Sequence, residues 1–402
     1  MKFSERKDDM KMRKTTKTLF AVSAALAAAP AFALLYSAPP DALHAWAVHD
    51  HNRPNPPKVT AEPGRPPSDA VVLFDGTAES IARNWCDQKG NPTKWTLRGD
   101  GALVCTPGSG YVRTKASFGD CQLHVEWAAP TPGKGVGQAR GNSGVFLMGL
   151  YEVQVLDSYG TDPSKDPMPN PNYPDGQAGA AYGQNPPLVN PARPEGQWQT
   201  YDIIFHQPVW DGDTLVRPAT YTVLFNGVLV QDAWELEGPT DWRIRVKQRK
   251  HANRLPISLQ DHGNPVPYRN IWIREIPPRS AYAEHGTFYA DPAKVASRRE
   301  RTAAEFFRKI DWKKGDRGSV NGMLEVVSYS KQPQYMEALK SACTAYKAFL
   351  DAKSPAELDA MRRDVLDVRN TFDVLIDAGI LDGTCPLSKL VHELPKRRGW
   401  KK

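Results

Sequence analysis

Short segments of alternating apolar and polar residues dominate the middle of the chain, from about residue 69 to residue 276. Runs such as QLHVEW, YEVQVL, TYDIIF, TYTVLFNGVLV and NIWIREI are separated by Gly, Pro, Asn and Asp. A period of two predicts strands with one buried face, and no amphipathic helix lies between these runs. The pattern predicts a mainly β domain, either a sandwich or a jelly roll, and Asn226-Gly227 predicts a tight hairpin turn.

Three of these segments have an unusual polar face. The polar rows comprise His124 and Glu126 in QLHVEW, Glu152 and Gln154 in YEVQVL, and Ser258, Gln260 and His262 in ISLQDHG. Alternate side chains of a strand lie roughly 6.6 Å apart, so each row is a short line of polar groups. A solvated outer face would explain any one row. Rows of Glu, Gln and His on three strands favour a concave binding site.

The charge of the chain lies at its two ends. The net charge is +7, but the first 18 residues contribute +4 and Lys396–Lys402 contributes +5, so the rest carries about −2. A basic groove for nucleic acid is therefore not expected. With 402 residues, 40% of them hydrophobic, the chain can form two modules with real cores.

The N-terminal residues have the pattern of an export signal. The basic stretch KMRKTTK precedes the apolar run LFAVSAALAAA, and Ala31-Phe32-Ala33 offers a small-x-small cleavage site. We expect a signal peptide over residues 1–33 and a Pro-rich disordered linker over 34–67. The protein would then be periplasmic or extracellular, with an uncleaved membrane anchor as the alternative.

The C-terminal part of the chain has helical periodicity. We expect an irregular connector with a short helix over 279–330, then a helical hairpin module with a basic tail over 331–402. SPAEL begins its second helix with Ser354 as N-cap and Glu357 completing a capping box. The hairpin must bury its apolar stripe against the sandwich, a second subunit or an envelope partner. Cys343 and Cys385 fall in this module, which favours a disulfide between them.

Residues 68–278 resemble the 3-keto-disaccharide hydrolase domain family. The resemblance rests on LFDGT, FGDCQLHVEW, GNSGVFL, YEVQVLDSYG, AAYGQNPPLVNPARPEGQWQTYDIIF, FNGVLVQD and LQDHGNPVPYRNIWIRE, which follow the family order over about half the chain. It implies a concanavalin A-like lectin/glucanase fold, a two-sheet jelly-roll sandwich. It also implies a glycoside or oligosaccharide substrate oxidised at C3.

Cleavage of a 3-keto-glycoside requires a base near C2, donors for an enolate oxygen and an acid for the leaving group. His262 is the leading candidate for the base, since an imidazole titrates near pH ~6.5, and Glu152 is the candidate for base or acid. The predicted substrate-binding residues are Gln154, Gln260, Asn142, Tyr182, Glu126 and His124. His262 or Asn142 could instead only brace a turn, and Glu152 could only pair with an arginine.

Two other functions fit the same fold. A retaining glucanase needs two carboxylates ~5.5 Å apart, and the row that begins with Glu152 continues with an amide and a leucine. A non-catalytic carbohydrate-binding module would need amides and aromatic residues but no titrating base. We expect no cofactor, and a bound calcium ion on Asp75, Asp157 or Asp261 is left open.

Overall fold

The computed structural model describes residues 38–51, 53, 55–276 and 292–400. The predicted signal peptide lies outside these residues, so its cleavage stays a prediction. The chain divides into two compact units, one consisting mainly of Pro54–Ser297 and the other of Arg298–Lys402 with Ala45–Arg53. Each unit has a hydrophobic core of its own.

The first unit consists mainly of strands. Its elements in chain order are β1 (Val71–Phe74), α1 (Ala78–Asn84), β2 (Trp85–Asp87), β3 (Thr96–Leu97), β4 (Leu103–Val104), β5 (Val112–Thr114), β6 (Cys121–Ala128), β7 (Ser143–Leu147), β8 (Tyr151–Val155), β9 (Trp198–His206), β10 (Val209–Asp211), β11 (Thr214–Arg217), β12 (Thr220–Phe225), β13 (Val228–Glu235), β14 (Ser258–Leu259) and β15 (Pro267–Glu275).

Two antiparallel sheets share one core. The larger has the order β13-β12-β9-β6-β15-β4-β3, with β1 also paired to β15, and the smaller has the order β2-β5-β14-β7-β8. Strands β10 and β11 form a separate hairpin. The predicted turn joins β12 to β13, where Asn226 and Gly227 have φ angles of 52° and 79°. Positive φ at both positions is what a two-residue hairpin turn requires, so this prediction is confirmed.

Strand β8 has the predicted alternation. Its apolar residues are fully buried in the shared core: Tyr151, Val153 and Val155. From the larger sheet, the Tyr201 hydroxyl donates to the carbonyl of Gln154 at 2.7 Å and the Tyr221 hydroxyl donates to the carbonyl of Glu152 at 3.2 Å. These bonds tie the backbone of β8 to the opposite sheet. The side chains of Glu152 and Gln154 consequently point away from the core.

The second unit is a bundle of six described helices, to which α2 belongs from Arg298 onward. They are α2 (Pro292–Lys309), α3 (Arg317–Tyr329), α4 (Pro333–Asp351), α5 (Pro355–Ala360), α6 (Arg362–Asp377) and α7 (Pro386–Arg397). The predicted capping box is present, since the Ser354 and Glu357 side chains accept from each other's backbone N–H. None of the described helices has the length and apolarity that a membrane span requires.

The prediction of an irregular connector and a two-helix hairpin is wrong for residues 292–329 and for the number of helices. Helix α3 is buried from Ser319 to Tyr329, polar and apolar residues alike, so it lacks the exposed polar face of a surface helix. The predicted second helix is broken at Met361, and α7 follows it. From the predicted linker, Trp46 contacts Tyr329 edge-on with ring centroids 6.2 Å apart.

Cys343 and Cys385 are neighbours, but the predicted disulfide is not formed in this structure. Both are free thiols, and the two side chains share a hydrogen bond. That bond, together with backbone N–H groups at the start of α7, lowers the pKa of Cys385 to about 6 although partial burial opposes it. The sequence placed the two thiols together correctly and assigned their bonding state wrongly.

Candidate functional site

A polar cavity of about 350 Å³ lies on the face of the smaller sheet that points away from the core. Six of the predicted site residues line it: Asn142, Glu152, Gln154, Tyr182, Gln260 and His262. Six further residues complete the lining: Tyr111, Gln138, Phe146, Thr240, Asp241 and Trp242. The cavity therefore collects residues from β7, from β8 and from loops that are far apart in the sequence.

The side chain of Glu152 is buried, and its carboxyl lies over Gly144. Its residue is 4% exposed, and Phe146 and Gly144 are, respectively, the register partners of Glu152 and Gln154 on β7. A Cβ at Gly144 would overlap Glu152 Oε1 and would lie 2.9 Å from the Phe146 ring. The side chain of Glu152 therefore occupies the space that a larger residue at position 144 would take.

Burial raises the pKa of the Glu152 carboxyl to about 8. No side-chain donor or cation in the described part of the chain opposes this shift, because burial is its one cause. At pH 7 the group is consequently mostly neutral and carries a proton that it can donate. The alternative that Glu152 pairs with an arginine is not what the structure shows.

A chain of amides fixes the orientation of Gln154. Gln138 Nε2 donates to the backbone carbonyl of Gly176 at 2.8 Å, and Asn142 Nδ2 donates to the backbone carbonyl of Gln138 at 2.8 Å. Gln154 Nε2 then donates to Asn142 Oδ1 at 3.1 Å. Since a backbone carbonyl can only accept, neither Gln138 nor Asn142 can be flipped. Gln154 is thereby left with its carbonyl oxygen, a hydrogen-bond acceptor, for a ligand.

Gln260 and His262 reach the cavity from a turn, not from a strand. Strand β14 ends at Leu259, and Asp261 then accepts from the backbone N–H groups of Gly110 at 2.8 Å and Gly263 at 2.9 Å. Gln260 Nε2 donates to the Tyr111 hydroxyl at 2.8 Å. The exposed His262 ring has no hydrogen bond to any described residue, and its backbone carbonyl, not its imidazole, accepts from Asn264.

His124 and Glu126 do not line this cavity, so their predicted place beside Glu152 is wrong. Strand β6 belongs to the larger sheet, and its polar row points away from the core on that sheet. His124 binds Asp202 at 2.7 Å, and Glu126 binds Arg269 at 2.6 Å. Burial lowers the pKa of His124, but the hydrogen bonds to the two acids outweigh burial and raise it to about 9. The alternation correctly predicted that His124 and Glu126 point away from the core, but it could not predict which of the two sheets contains β6.

Each of the three candidate calcium ligands binds different partners. Asp75 binds the Thr77 hydroxyl at 2.6 Å, Asp157 binds Arg140 at 2.6 Å, and Asp261 holds the turn described above. Within the described residues, no three or more His, Cys, Asp or Glu side chains are grouped as metal ligands. These three carboxylates therefore do not form a shared site.

The lining residues that sequence reasoning missed lie mostly in loops. Gln138 is in a 3-10 turn (Gly137–Ala139), and Thr240, Asp241 and Trp242 follow Pro239 in an irregular stretch. No periodic pattern identifies such positions. A tryptophan within a polar, turn-rich loop was the one available signal, because a large ring outside a strand has no core to fill.

Part of the chain is similar to solved structures. A candidate glycosyl hydrolase from Parabacteroides distasonis ATCC 8503 is 40% identical, with a TM-score of 0.51, and the match covers 57% of this chain and 95% of that chain. A second such protein from the same organism is 16% identical with a TM-score of 0.37, covering 52% and 94%. The alginate lyase Aly36B is 11% identical with a TM-score of 0.28, covering 52% and 98%.

The chain matches no curated protein. The sequence profile of the 3-keto-alpha-glucoside-1,2-lyase-like domain matches residues 69–274, which include every strand described above except the last residue of β15. The chain therefore belongs to the 3-keto-alpha-glucoside-1,2-lyase-like family and is a carbohydrate-active enzyme.

Proposed function

We propose that the protein is an exported hydrolase that cleaves 3-keto-glycosides in the cavity of the smaller sheet. The carrying observation is the neutral, buried carboxyl of Glu152 in a polar cavity that His262 also lines. The family supplies the substrate class, and the N-terminal pattern supports export. We also propose that the two sheets have the strand order of a jelly roll and that the helical module is a separate domain.

The first half of the proposed reaction is an elimination. His262 takes the proton from C2, which the neighbouring C3 ketone acidifies. The C1–O bond then breaks, and Glu152 gives its proton to the departing oxygen. The products are the leaving alcohol and an unsaturated ketone with a double bond between C1 and C2. A pKa near 8 suits this role, because the acid is protonated at rest and is not too weak to release its proton.

The second half is the addition of water to the same double bond. Glu152, now a carboxylate, takes a proton from water as the oxygen adds to C1. The protonated His262 returns a proton to C2, so both side chains end as they began. The net result is hydrolysis of the glycosidic bond, and C2 exchanges its hydrogen with solvent on the way.

Gln154 contributes recognition. Because the amide chain leaves its carbonyl oxygen as the free group, that oxygen accepts a hydrogen bond from a sugar hydroxyl and cannot donate one to an enolate oxygen. The donors available to that oxygen are the Tyr182 hydroxyl, the His262 ring and the neutral Glu152 carboxyl, all in the same lining. The two kinds of polar group therefore have separate tasks.

The glucanase alternative is less well supported. Asp241 is the other acid of the lining, and its carboxylate is engaged by the backbone N–H of Trp242 at 2.7 Å. A raised pKa also makes Glu152 a poor nucleophile at neutral pH. A purely binding module would leave both the proton on Glu152 and the free imidazole of His262 without a use.

The test compares a 3-keto-glucoside with its unoxidised parent in deuterated water, with aglycone release and deuterium at C2 both measured. We expect turnover of the 3-keto compound with C2 exchange, and Glu152→Gln and His262→Ala should each reduce the rate on the order of 10²-fold. Glu126→Gln, the same change on the other sheet, is the control and should retain the rate. Turnover of the parent alone would favour the glucanase, binding without turnover would favour the lectin, and cleavage without exchange would reject the elimination.

A further inference from the structure

A second cavity, of about 380 Å³, adjoins the first. Tyr182 and Trp242 line both cavities, and Tyr173, which lines the second, has its hydroxyl 3.1 Å from that of Tyr182. A glycoside extends to both sides of its glycosidic bond. A substrate whose oxidised ring lies against Glu152 can therefore extend past Tyr182 and Trp242 and place its leaving group in the second cavity.

Trp242 has an exposure that folding does not explain. It is 63% exposed, whereas every other tryptophan of the chain is buried or half-buried. The guanidinium of Arg243 lies over its ring, 4.6 Å from the centroid. Large exposed aromatic side chains at the rim of a cavity commonly serve as contact surfaces for ligands.

The two cavities differ in charge. The lining of the first contains the acids Glu152 and Asp241 and no lysine or arginine. The lining of the second contains Arg243 and Arg245 with one acid, Asp175. Residues 242–254 as a whole carry six Lys or Arg and no Asp or Glu. The charge of the site therefore becomes positive on the leaving-group side.

Arg243 is available to a ligand. Among the described residues no carboxylate pairs with it, whereas Arg245 binds Glu237 at 3.0 Å in a solvent-exposed pair that competes weakly with other anions. Arg243 also has a φ of 61°, a left-handed conformation that a side chain with a Cβ disfavours. A guanidinium that no described carboxylate binds, on a residue whose backbone is in a disfavoured conformation beside a cavity, is a ready partner for a carboxylate.

We propose that the second cavity binds the leaving group of the substrate and that this group carries a carboxylate, which Arg243 binds while Trp242 contacts the adjoining ring. The assignment of the cavity to the leaving group rests on the proposed function. Two sources share this chemistry, a uronic acid residue and an aromatic carboxylic acid. The neutral ring in the acid-lined first cavity and the anionic group in the second would together set the direction in which the substrate binds.

The test uses matched pairs of 3-keto-glucosides. One pair has 3-carboxyphenyl and 3-carbamoylphenyl leaving groups, and the other has glucuronic acid and glucose as the second sugar. We expect kcat/KM to favour the carboxylate on the order of tenfold in at least one pair, the size of one charge-assisted hydrogen bond. The pair that shows the preference identifies the source.

Arg243→Gln should remove that preference, so that the two members of each pair have equal kcat/KM. Arg254→Gln is the control, because Arg254 carries the same charge in the same segment, pairs with Glu275 and lines neither cavity. Equal kcat/KM within both pairs, or a preference that survives Arg243→Gln, would overturn the proposal.

A binding measurement separates this proposal from the proposed function. Calorimetry with 3-hydroxybenzoate and glucuronate, each beside its neutral amide, reports on the second cavity without any turnover. If no 3-keto-glycoside is cleaved but wild-type protein binds a carboxylate more tightly than Arg243→Gln does, the proposed reaction fails and the anion site stands. If neither acid binds in preference to its amide, the anion site fails whatever the enzyme cleaves.

Discussion

Replacing Glu152 with glutamine should stabilise the protein at alkaline pH and leave its stability unchanged at acidic pH. The folded state raises the pKa of this carboxyl to about 8 from an ordinary 4.5. Folded protein therefore holds the proton more tightly than unfolded protein. The contribution of this proton to the free energy of unfolding is fully present below pH 4.5 and is lost as the pH rises through 8. At about 1.4 kcal/mol for each factor of ten, ionised Glu152 costs the wild type roughly 5 kcal/mol above pH 8.

The assay is denaturant unfolding of the wild type and Glu152→Gln at several pH values from 5 to 9. Tryptophan fluorescence follows the strand unit, because eight of the eleven tryptophans lie between Trp85 and Trp272. Glutamine keeps the size of the side chain over Gly144 and cannot ionise. We expect the two free energies of unfolding to lie within about 1 kcal/mol of each other at pH 5 and to differ by several kcal/mol in favour of the variant at pH 9.

Glu126→Gln is the matched control, and its effect should have the opposite sign. Burial raises the pKa of Glu126, but hydrogen bonds from His124, Asn270 and Arg269 outweigh burial and lower it to about 2. Its ionised form is thus stabilising above pH 4.5, and the amide should weaken the fold at neutral pH. A Glu152→Gln difference that is the same at pH 5 and pH 9 would refute the reasoning, since it would mean that Glu152 does not titrate with folding.

Three further predictions concern the cavity and the N-terminus. Gly144→Ala should displace the Glu152 side chain, reduce kcat roughly 10²-fold and move the alkaline limb of the pH–rate profile. An unchanged rate and profile would show that the position of Glu152 does not depend on a glycine at 144. Asn142→Leu should remove the acceptor that orients the Gln154 amide and so free that amide to flip. Discrimination between a sugar hydroxyl and fluorine, which accepts but cannot donate, should then fall well below the wild-type value, and an unaltered ratio would count against the amide chain. The intact mass of the exported protein should correspond to a chain beginning near Leu34, and a mass that retains residues 1–33 would contradict signal cleavage.

Much of the smaller sheet's outer face could be predicted from local sequence. Alternation over residues 151–155 was enough to put Glu152 and Gln154 on one face and Tyr151, Val153 and Val155 on the other, because a strand has a strict period of two. The alternating row of ISLQDHG added Gln260 and His262, and the family motifs added Asn142 and Tyr182. Six cavity residues were thereby predicted before any contact was known.

Other features depend on contacts that no local pattern contains. The alternating row of His124 and Glu126 looks like that of β8, and only the pairing of β6 with β9 and β15 assigns it to the larger sheet. Helix α3 is buried from Ser319 onward, polar residues such as Asn321 and Glu325 included, so it lacks the solvent-facing polar stripe by which surface helices are recognised. Gln138 acts through an amide chain anchored on backbone carbonyls, which appears only once the loops are folded.

The two glutamates show why a polar row by itself does not identify a catalytic group. Glu126 is opposite Arg269 on β15 and Thr200 on β9, so its neighbours keep it charged and bound. Glu152 is opposite Phe146, and its carboxyl lies over a glycine, so burial is left unopposed and the carboxyl keeps its proton. One sequence pattern thus produces an ion pair on one sheet and a buried carboxyl with a raised pKa, which we propose as the proton donor, on the other. The difference lies in the cross-strand partners. Gly144 has no side chain, and the buried carboxyl of Glu152 occupies the space that a side chain at that position would fill.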